Sequence, residues 1–431
     1  LSDPNQQPGG TAVQPPRIEL IPARPAVCRD ATTTLDVLVR ITPPLPEVHI
    51  LRPPINMAIV LDRSGSMSSG RKMEHARDAA IFAIGQLLPT DRISVTVFDE
   101  QIETIAPSAP ATDKPGLAAR IRRIGPRGST ALHGGWEAGA RQVLEHLVWQ
   151  GMNRVLLLSD GLANVGLTDP GSIAAEVRGM AGREVSTSTI GVGRDYSEAL
   201  LSAMADAGAG SYYYVDNPVQ LPDIFQTELQ GLMATTGRNV ELSIKPGSGV
   251  AVAEVLTGLE RGPDGQIKVP DMVSDMPISV LVRLSVPPAP SGGDLGRVTL
   301  AWDPTGETAG RRQECSVGLA LPGVTLREWE QMPLDPAVQE QLILLMAARA
   351  RDELHGTLAR GDVAGSRAIL DQIHALIATV PETFELREEL KNLEETQAMM
   401  NTGDMISSAK KAQLMAWYRK KGRSSPPPKQ P

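Results

Sequence analysis

Residues 55–67 read INMAIVLDRSGSM, a continuous apolar run that stops at an aspartate and opens into small hydroxyl side chains. A strand with one face in water would alternate apolar and polar residues. A run without alternation belongs in a sheet covered on both faces, which is the situation of a parallel sheet. The same texture returns in RISVTVF (92–98), NRVLLLS (153–159), EVSTSTIGV (184–192) and SYYYV (211–215). Amphipathic helical stretches near 72–87, 115–123, 132–148, 170–181, 197–207 and 218–234 alternate with these runs, and QIETIA (101–106) reads as an antiparallel edge strand. Strand and helix in regular alternation predict an α/β fold with a doubly wound, mostly parallel sheet over residues 53–235. Its ligands belong outside the carboxyl ends of the strands.

Working outward, the pattern changes on both sides. RIELIPARP (17–25) and TTTLDVLVRITPP (32–44) alternate apolar and polar residues between prolines, as half-buried strands do. After residue 235 the helical period vanishes. NVELSIKP, GVAVAEVLTG, PISVLVRLSVPP, GRVTLAWD and RQECSVGLAL follow, separated by Gly and Pro turns. The expectation is an antiparallel β-sandwich whose first strands lie in 17–52 and whose remainder lies in 236–325, with the α/β domain inserted between them. Residues 326–421 carry apolar residues at helical spacing and form a helical C-terminal domain. The Pro- and Gly-rich residues 1–16 are expected as a flexible arm, and 422–431 as a disordered tail.

Composition narrows the function. Lys and Arg number 42 against 50 Asp and Glu, a net charge of -8, the wrong sign for a protein that neutralises a nucleic-acid backbone. Aromatic residues are 3% of the chain, too sparse for base-stacking platforms. No apolar run approaches the ~20 residues of a membrane span. With two cysteines, Cys28 and Cys315, a thiol-poor cytoplasmic protein is expected. Export after removal of an upstream signal is the alternative, in which case the two cysteines would share a sandwich and be close enough for a disulfide.

The chemistry concentrates at three loops. Asp62, Ser64 and Ser66 alternate, so three short oxygen side chains can turn toward one point at the end of the first strand. Gly128-Ser129-Thr130 precedes a helix, and Leu158-Ser159-Asp160-Gly161 ends another apolar strand at the same sheet edge. Hydroxyls and two carboxylates are hard oxygen donors that suit Mg²⁺ or a similar divalent ion. The competing reading is a serine capping the following helix.

These elements, LDRSGSM, the GRKMEHARDAA helix, GST and LLLSDGLAN, resemble the bacterial von Willebrand factor A (VWA) domain with a metal-ion-dependent adhesion site over residues 53–235. The resemblance implies that Ser64, Ser66 and Thr130 bind the metal through their hydroxyls, while Asp62 and Asp160 act directly or through water. One coordination position is then left for an Asp or Glu of a partner protein. Mg²⁺ is the expected ion, with Mn²⁺ or Ca²⁺ as alternatives. The flanking strands and helices also resemble the wider group of bacterial VWA proteins in their order. The implied function is a non-enzymatic, metal-dependent protein-interaction module. The alternative is a scaffold subunit of an ATPase or signalling assembly, in which the metal braces loops and the helical domain makes the contacts.

Other motifs carry less. GPRGST lacks the lysine of a phosphate loop, and neither Ser64 nor Ser66 lies in Gly-x-Ser-x-Gly. The six histidines are scattered, and His133 is expected to pack at its helix start. Tyr212, Tyr213 and Tyr214 read as structural, Met399, Met400 and Met405 as core filler. Lys410-Lys411 and the basic run 419–423 read as solvated helix surface and tail.

Overall fold

The computed structural model describes residues 15–45, 52–262, 264–289, 291–306 and 310–423. The arm expected at 1–16 and the tail expected at 422–431 lie almost wholly outside these residues.

The chain opens with strands β1 (Arg17–Pro22), β2 (Val27–Cys28) and β3 (Thr33–Thr42). The α/β domain follows, with strands β4 (Ile55–Asp62), β5 (Arg92–Phe98), β6 (Ile102–Pro110), β7 (Met152–Ser159), β8 (Ser186–Val192) and β9 (Ala209–Val215). Its helices are α1 (Lys72–Gln86), α2 (Lys114–Arg122), α3 (Leu132–Leu144), α4 (Pro170–Ala181), α5 (Glu198–Ala207) and α6 (Leu221–Met233). The sheet order is β6-β5-β4-β7-β8-β9, parallel throughout except at β6.

Every residue of β4 and β7 is buried, which is why their sequences do not alternate. Alternate side chains of β4 serve different cores. Met57, Ile59 and Leu61 pack with Ala76, Ala80, Phe225 and Leu229 from α1 and α6, while Ala58 and Val60 pack with Trp136, Ala140 and Leu200 from α3 and α5. Helix α3 comes close because Gly139 faces Val60: a Cβ there would lie 2.3 Å from Val60 Cγ2. The chain leaves β4 toward β5 on one side and returns to β7 on the other. The direction of winding therefore reverses at the carboxyl end of β4, which puts Asp62 at the switch point where such sheets take their ligands.

Helix α3 ends at Leu144, short of the expected 148. The Asn56 side-chain amide, reaching over from β4, donates to the carbonyls of Val143 (2.9 Å) and His146 (2.8 Å) and closes the helix from outside.

Beyond α6 the chain forms β10 (Thr235–Pro246), β11 (Ala251–Val255), β12 (Ile267–Lys268), β13 (Met272–Val273), β14 (Ile278–Val286), β15 (Gly293–Pro304), β16 (Gln313–Leu321) and β17 (Gly323–Val324). One antiparallel sheet runs β1-β3-β14-β11, and another runs β12-β10-β15-β16 with β13 on β10. Strand β3, ahead of the α/β domain, thus pairs along its full length with β14 behind it, Val39 opposite Val280. Leu35, Val37 and Val282 of the first sheet share one apolar cluster with Val240, Leu242 and Leu300 of the second. The short parallel pair β2 and β17 had no sequence signal. Cys28 in β2 and Cys315 in β16 are both free thiols.

The C-terminal region has α7 (Leu326–Gln331), α8 (Pro336–Ala359), α9 (Val363–Ile377), α10 (Phe384–Asn401) and α11 (Met405–Lys420). Its punctuation is local. Asp335, Asp362, Thr383 and Asp404 accept first-turn N–H bonds of the four longer helices, and Pro336 sits at the first helical position, where its missing donor costs nothing.

The last helix corrects one expectation. Lys410 is not solvated: its side chain is 1% exposed, with Nζ 2.5 Å from Glu198 of α5 and 3.7 Å from the centroid of the Tyr196 ring. Burial makes this ammonium easier to deprotonate, against the pull of Glu198. Arg419 pairs with Glu385, Lys421 with Asp206, and Lys411 with Glu395. The basic run of α11 docks the helix. Its Ala409 and Ala412 belong to the helical core, while Leu414, Met415, Trp417 and Tyr418 enter the core of the α/β domain. Met400 is buried in the helical core, as expected of a core filler.

Candidate metal and ligand site

The loop after β4 turns sharply, and Asp62 directs both carboxylate oxygens inward. Oδ1 accepts the Ser64 N–H at 2.8 Å, and Oδ2 accepts the Ser159 hydroxyl at 2.6 Å. Ser64 Oγ lies 3.0 Å from Ser66 Oγ, and Ser66 Oγ donates to Asp160 Oδ1 at 2.6 Å. Thr130 joins from its own loop. An atom in the position of a Gly161 Cβ would stand 3.2 Å from Thr130 Oγ1, 3.6 Å from Ser66 Oγ and 3.9 Å from Asp62 Oδ2. Glycine at 161 therefore faces oxygens from the two neighbouring loops.

All five residues singled out by sequence, Asp62, Ser64, Ser66, Thr130 and Asp160, thus lie at one sheet edge. The capping alternative does not describe them, since the short helical turn that follows takes no side-chain cap from Ser64, and α1 begins after Arg71 without one. Burial raises the Asp62 carboxyl to about 6, and the nearby Asp160 pushes the same way, against hydrogen bonds from Ser159 and Ser64. Such a carboxylate is short of positive charge. No group of three or more His, Cys, Asp or Glu side chains among the described residues could hold a metal, so any ion here depends on the serine and threonine hydroxyls.

Residues that the sequence did not single out set this geometry. The Asn164 side-chain oxygen accepts the Thr130 N–H at 2.9 Å, and the Thr130 carbonyl accepts the Asn164 N–H at 3.1 Å. Glu100 accepts the Ser129 N–H at 2.7 Å. Asp99 gathers Arg63 Nε at 3.0 Å and Arg127 Nε at 2.5 Å. Burial opposes its ionisation, but the bonds from Arg127 and Gln101 outweigh it and hold the carboxyl below the usual range. Lys72 Nζ sits 2.6 Å from Asp160 Oδ2. Its clue in the sequence is a lysine in the first turn of the helix after the loop. His133 packs as expected at its helix start, 2.9 Å from Glu176 and against Trp136.

Gly128 is required by its backbone, and a Cβ there would also push Glu100 aside. Its φ is +68°, and a Cβ would lie 1.7 Å from Glu100 Oε2. Gly128→Ala is expected to cost about 1–3 kcal/mol through the left-handed backbone alone. It should also displace Glu100 from Ser129 and shift Thr130. Chemical denaturation of variant and wild type measures the cost, and equal midpoints would contradict it.

Sequence and structure comparisons bear on the domain that carries these loops. A family model described as von Willebrand factor type A domain matches residues 56–227. Uncharacterized protein YfbK of Escherichia coli is 29% identical over 194 residues, 45% of this chain but 34% of YfbK, so the match spans about a third of that relative. Uncharacterized protein sll0103 of Synechocystis is 25% identical over 339 residues, 75% of this chain and 78% of that protein. Among solved structures, a von Willebrand factor type A protein from Catenulispora acidiphila superposes with a TM-score of 0.70 at 17% identity, covering 90% of this chain and 91% of the other, a likeness of fold. The chain therefore carries a von Willebrand factor type A domain at residues 56–227, a fold that generally serves protein interaction.

Proposed function

We propose that the chain is a non-enzymatic, Mg²⁺-dependent protein-interaction module whose metal takes an Asp or Glu side chain from a partner protein. The observation that carries this reading is the convergence of Thr130 Oγ1, Ser66 Oγ and Asp62 Oδ2 around Gly161. The donors fit the ion, being hard oxygens at the carboxyl edge of a parallel sheet. Ser64, Ser66 and Thr130 would hold it through hydroxyls, and Asp62 and Asp160 would supply the charge. Bound there, the ion would act as an electrophile toward a carboxylate. The other donors are neutral hydroxyls, which leave the ion a demand for one more oxygen donor. Ser159 and the Ser64 N–H orient Asp62, and Asn164 fixes Thr130. We read the two antiparallel sheets as halves of one sandwich into which this domain is inserted.

Calorimetric titration of Mg²⁺, Mn²⁺ and Ca²⁺ into metal-stripped protein tests the proposal. Saturable binding is expected for wild type and should be lost in Asp62→Ala and Asp160→Ala, with circular dichroism unchanged. Binding that survives in both variants would reject the site. For a partner once in hand, EDTA should abolish association without unfolding the chain. Association indifferent to EDTA would favour the scaffold alternative, with contacts made through the helical region.

A further inference from the structure

Lys72 stands where general electrostatics would not put it. It is the first residue of α1, where the helix end carries partial positive charge and cations are disfavoured. It is also 8% exposed, and a desolvated ammonium is costly unless paired. Its Nζ donates to Asp160 Oδ2 at 2.6 Å, while the other oxygen of the same carboxylate accepts Ser66 at 2.6 Å. The path of the lysine is kept clear by Gly193, at the end of β8. A Cβ on Gly193 would lie 3.2 Å from Lys72 Cε and 3.3 Å from Nζ, and the residue has φ +77°. Asp160 is therefore shared between a fixed cation and the serine cluster, whereas the hydrogen bonds to Asp62 come from the neutral Ser64 and Ser159.

We propose that Lys72 is a built-in counter-charge of the metal site, a positioning residue that neutralises Asp160 and holds down the intrinsic affinity for a divalent ion, so that firm retention requires a partner's carboxylate. This rests on the metal reading above. The arithmetic of charge is simple: two carboxylates and one ammonium leave a single net negative charge to meet a divalent ion. The loaded site keeps one positive charge, which an incoming Asp or Glu neutralises. Without the lysine the loaded site would be neutral, and the same incoming carboxylate would gain less.

The test uses the full chain, stripped of metal, with Mn²⁺ as the probe. Calorimetry on Lys72→Met and Lys72→Gln should show Mn²⁺ binding at least about tenfold tighter than wild type. Lys72→Arg, which keeps the charge, should stay near wild type. Melting supplies a second readout. In EDTA the neutral variants leave Asp160 buried without its cation and should melt below wild type, whereas saturating Mn²⁺ should raise them more than it raises wild type. A purely structural lysine would give weaker or unchanged Mn²⁺ binding in folded variants, and either result overturns the proposal. Lys72→Gln keeps an amide donor toward Asp160 and carries the test if Lys72→Met does not fold. Neutral variants that fold only with Mn²⁺ support the proposal, and variants that fold under neither condition overturn it. Asp62→Ala separates the two levels of inference. If it binds Mn²⁺ as wild type does, the metal reading itself fails. If it loses binding while the Lys72 variants match wild type, only the counter-charge fails.

Discussion

Trp417→Ala should destabilise the α/β domain by about 3–5 kcal/mol, the usual cost of truncating a buried aromatic side chain to alanine. That is a large share of the ~5–15 kcal/mol that holds a typical domain together. Trp417 lies near the chain's end, yet its ring meets Tyr212 of β9 edge-on at 6.4 Å and Tyr418 at 5.1 Å, and its Nε1 donates to Asp206 of α5 at 2.7 Å. Tyr212 in turn bonds Tyr196 hydroxyl to hydroxyl at 2.7 Å. The loss should therefore register in the α/β domain as well as in the helices. Denaturant unfolding followed by aromatic circular dichroism is the measurement. A shift below about 1 kcal/mol would mean that α11 rests on the domain without supporting it. The same packing makes removal of residues 336–431 a poor way to ask what the helical region binds, since it would strip Leu414, Met415, Trp417 and Tyr418 from the α/β core.

The second large effect concerns the helical core. Arg351 of α8 and Glu389 of α10 form an ion pair at 2.9 Å with side chains 1% and 3% exposed, and Arg419 approaches the same carboxylate at 3.8 Å. Burial makes the Arg351 guanidinium easier to deprotonate, with Glu389 opposing. Glu389→Leu would leave Arg351 buried without its counter-ion and beside another arginine, at a cost of about 3–5 kcal/mol. The double variant Glu389→Leu with Arg351→Met should recover most of that, because the penalty belongs to the stranded charge. Thermal and denaturant unfolding of both variants decide it. A double variant as unstable as Glu389→Leu alone would show that the attraction of the pair, rather than relief of an orphaned charge, holds α8 to α10.

Much of the α/β domain was legible because its signals are local. A continuous apolar run between amphipathic helices has few other solutions, and the strands 55–62, 92–98 and 152–159 lie where the pattern put them. The edge strand β6 was legible from a short alternating segment following a tight turn. The three loops of the site could be read together because each directly follows a strand or precedes a helix at one end of the sheet. The short strands β2, β12, β13 and β17, and helix α7, escaped notice. Segments of two to six residues carry no period to read.

What the sequence determined alone was the alternation of strand and helix and the oxygen-bearing residues Asp62, Ser64, Ser66, Thr130 and Asp160. Each of these depends on neighbours within a few residues. Only the tertiary structure decided that Lys72 meets Asp160, 88 positions away, that Asn56 ends α3, that β3 pairs with β14 although the α/β domain lies between them in sequence, and that Lys410 and Arg419 of α11 are buried. Hydrophobic period states that a face will be covered but not by what. A charge in a helix reads the same whether its partner is water or a carboxylate on a distant strand, and only the packed chain distinguishes the two.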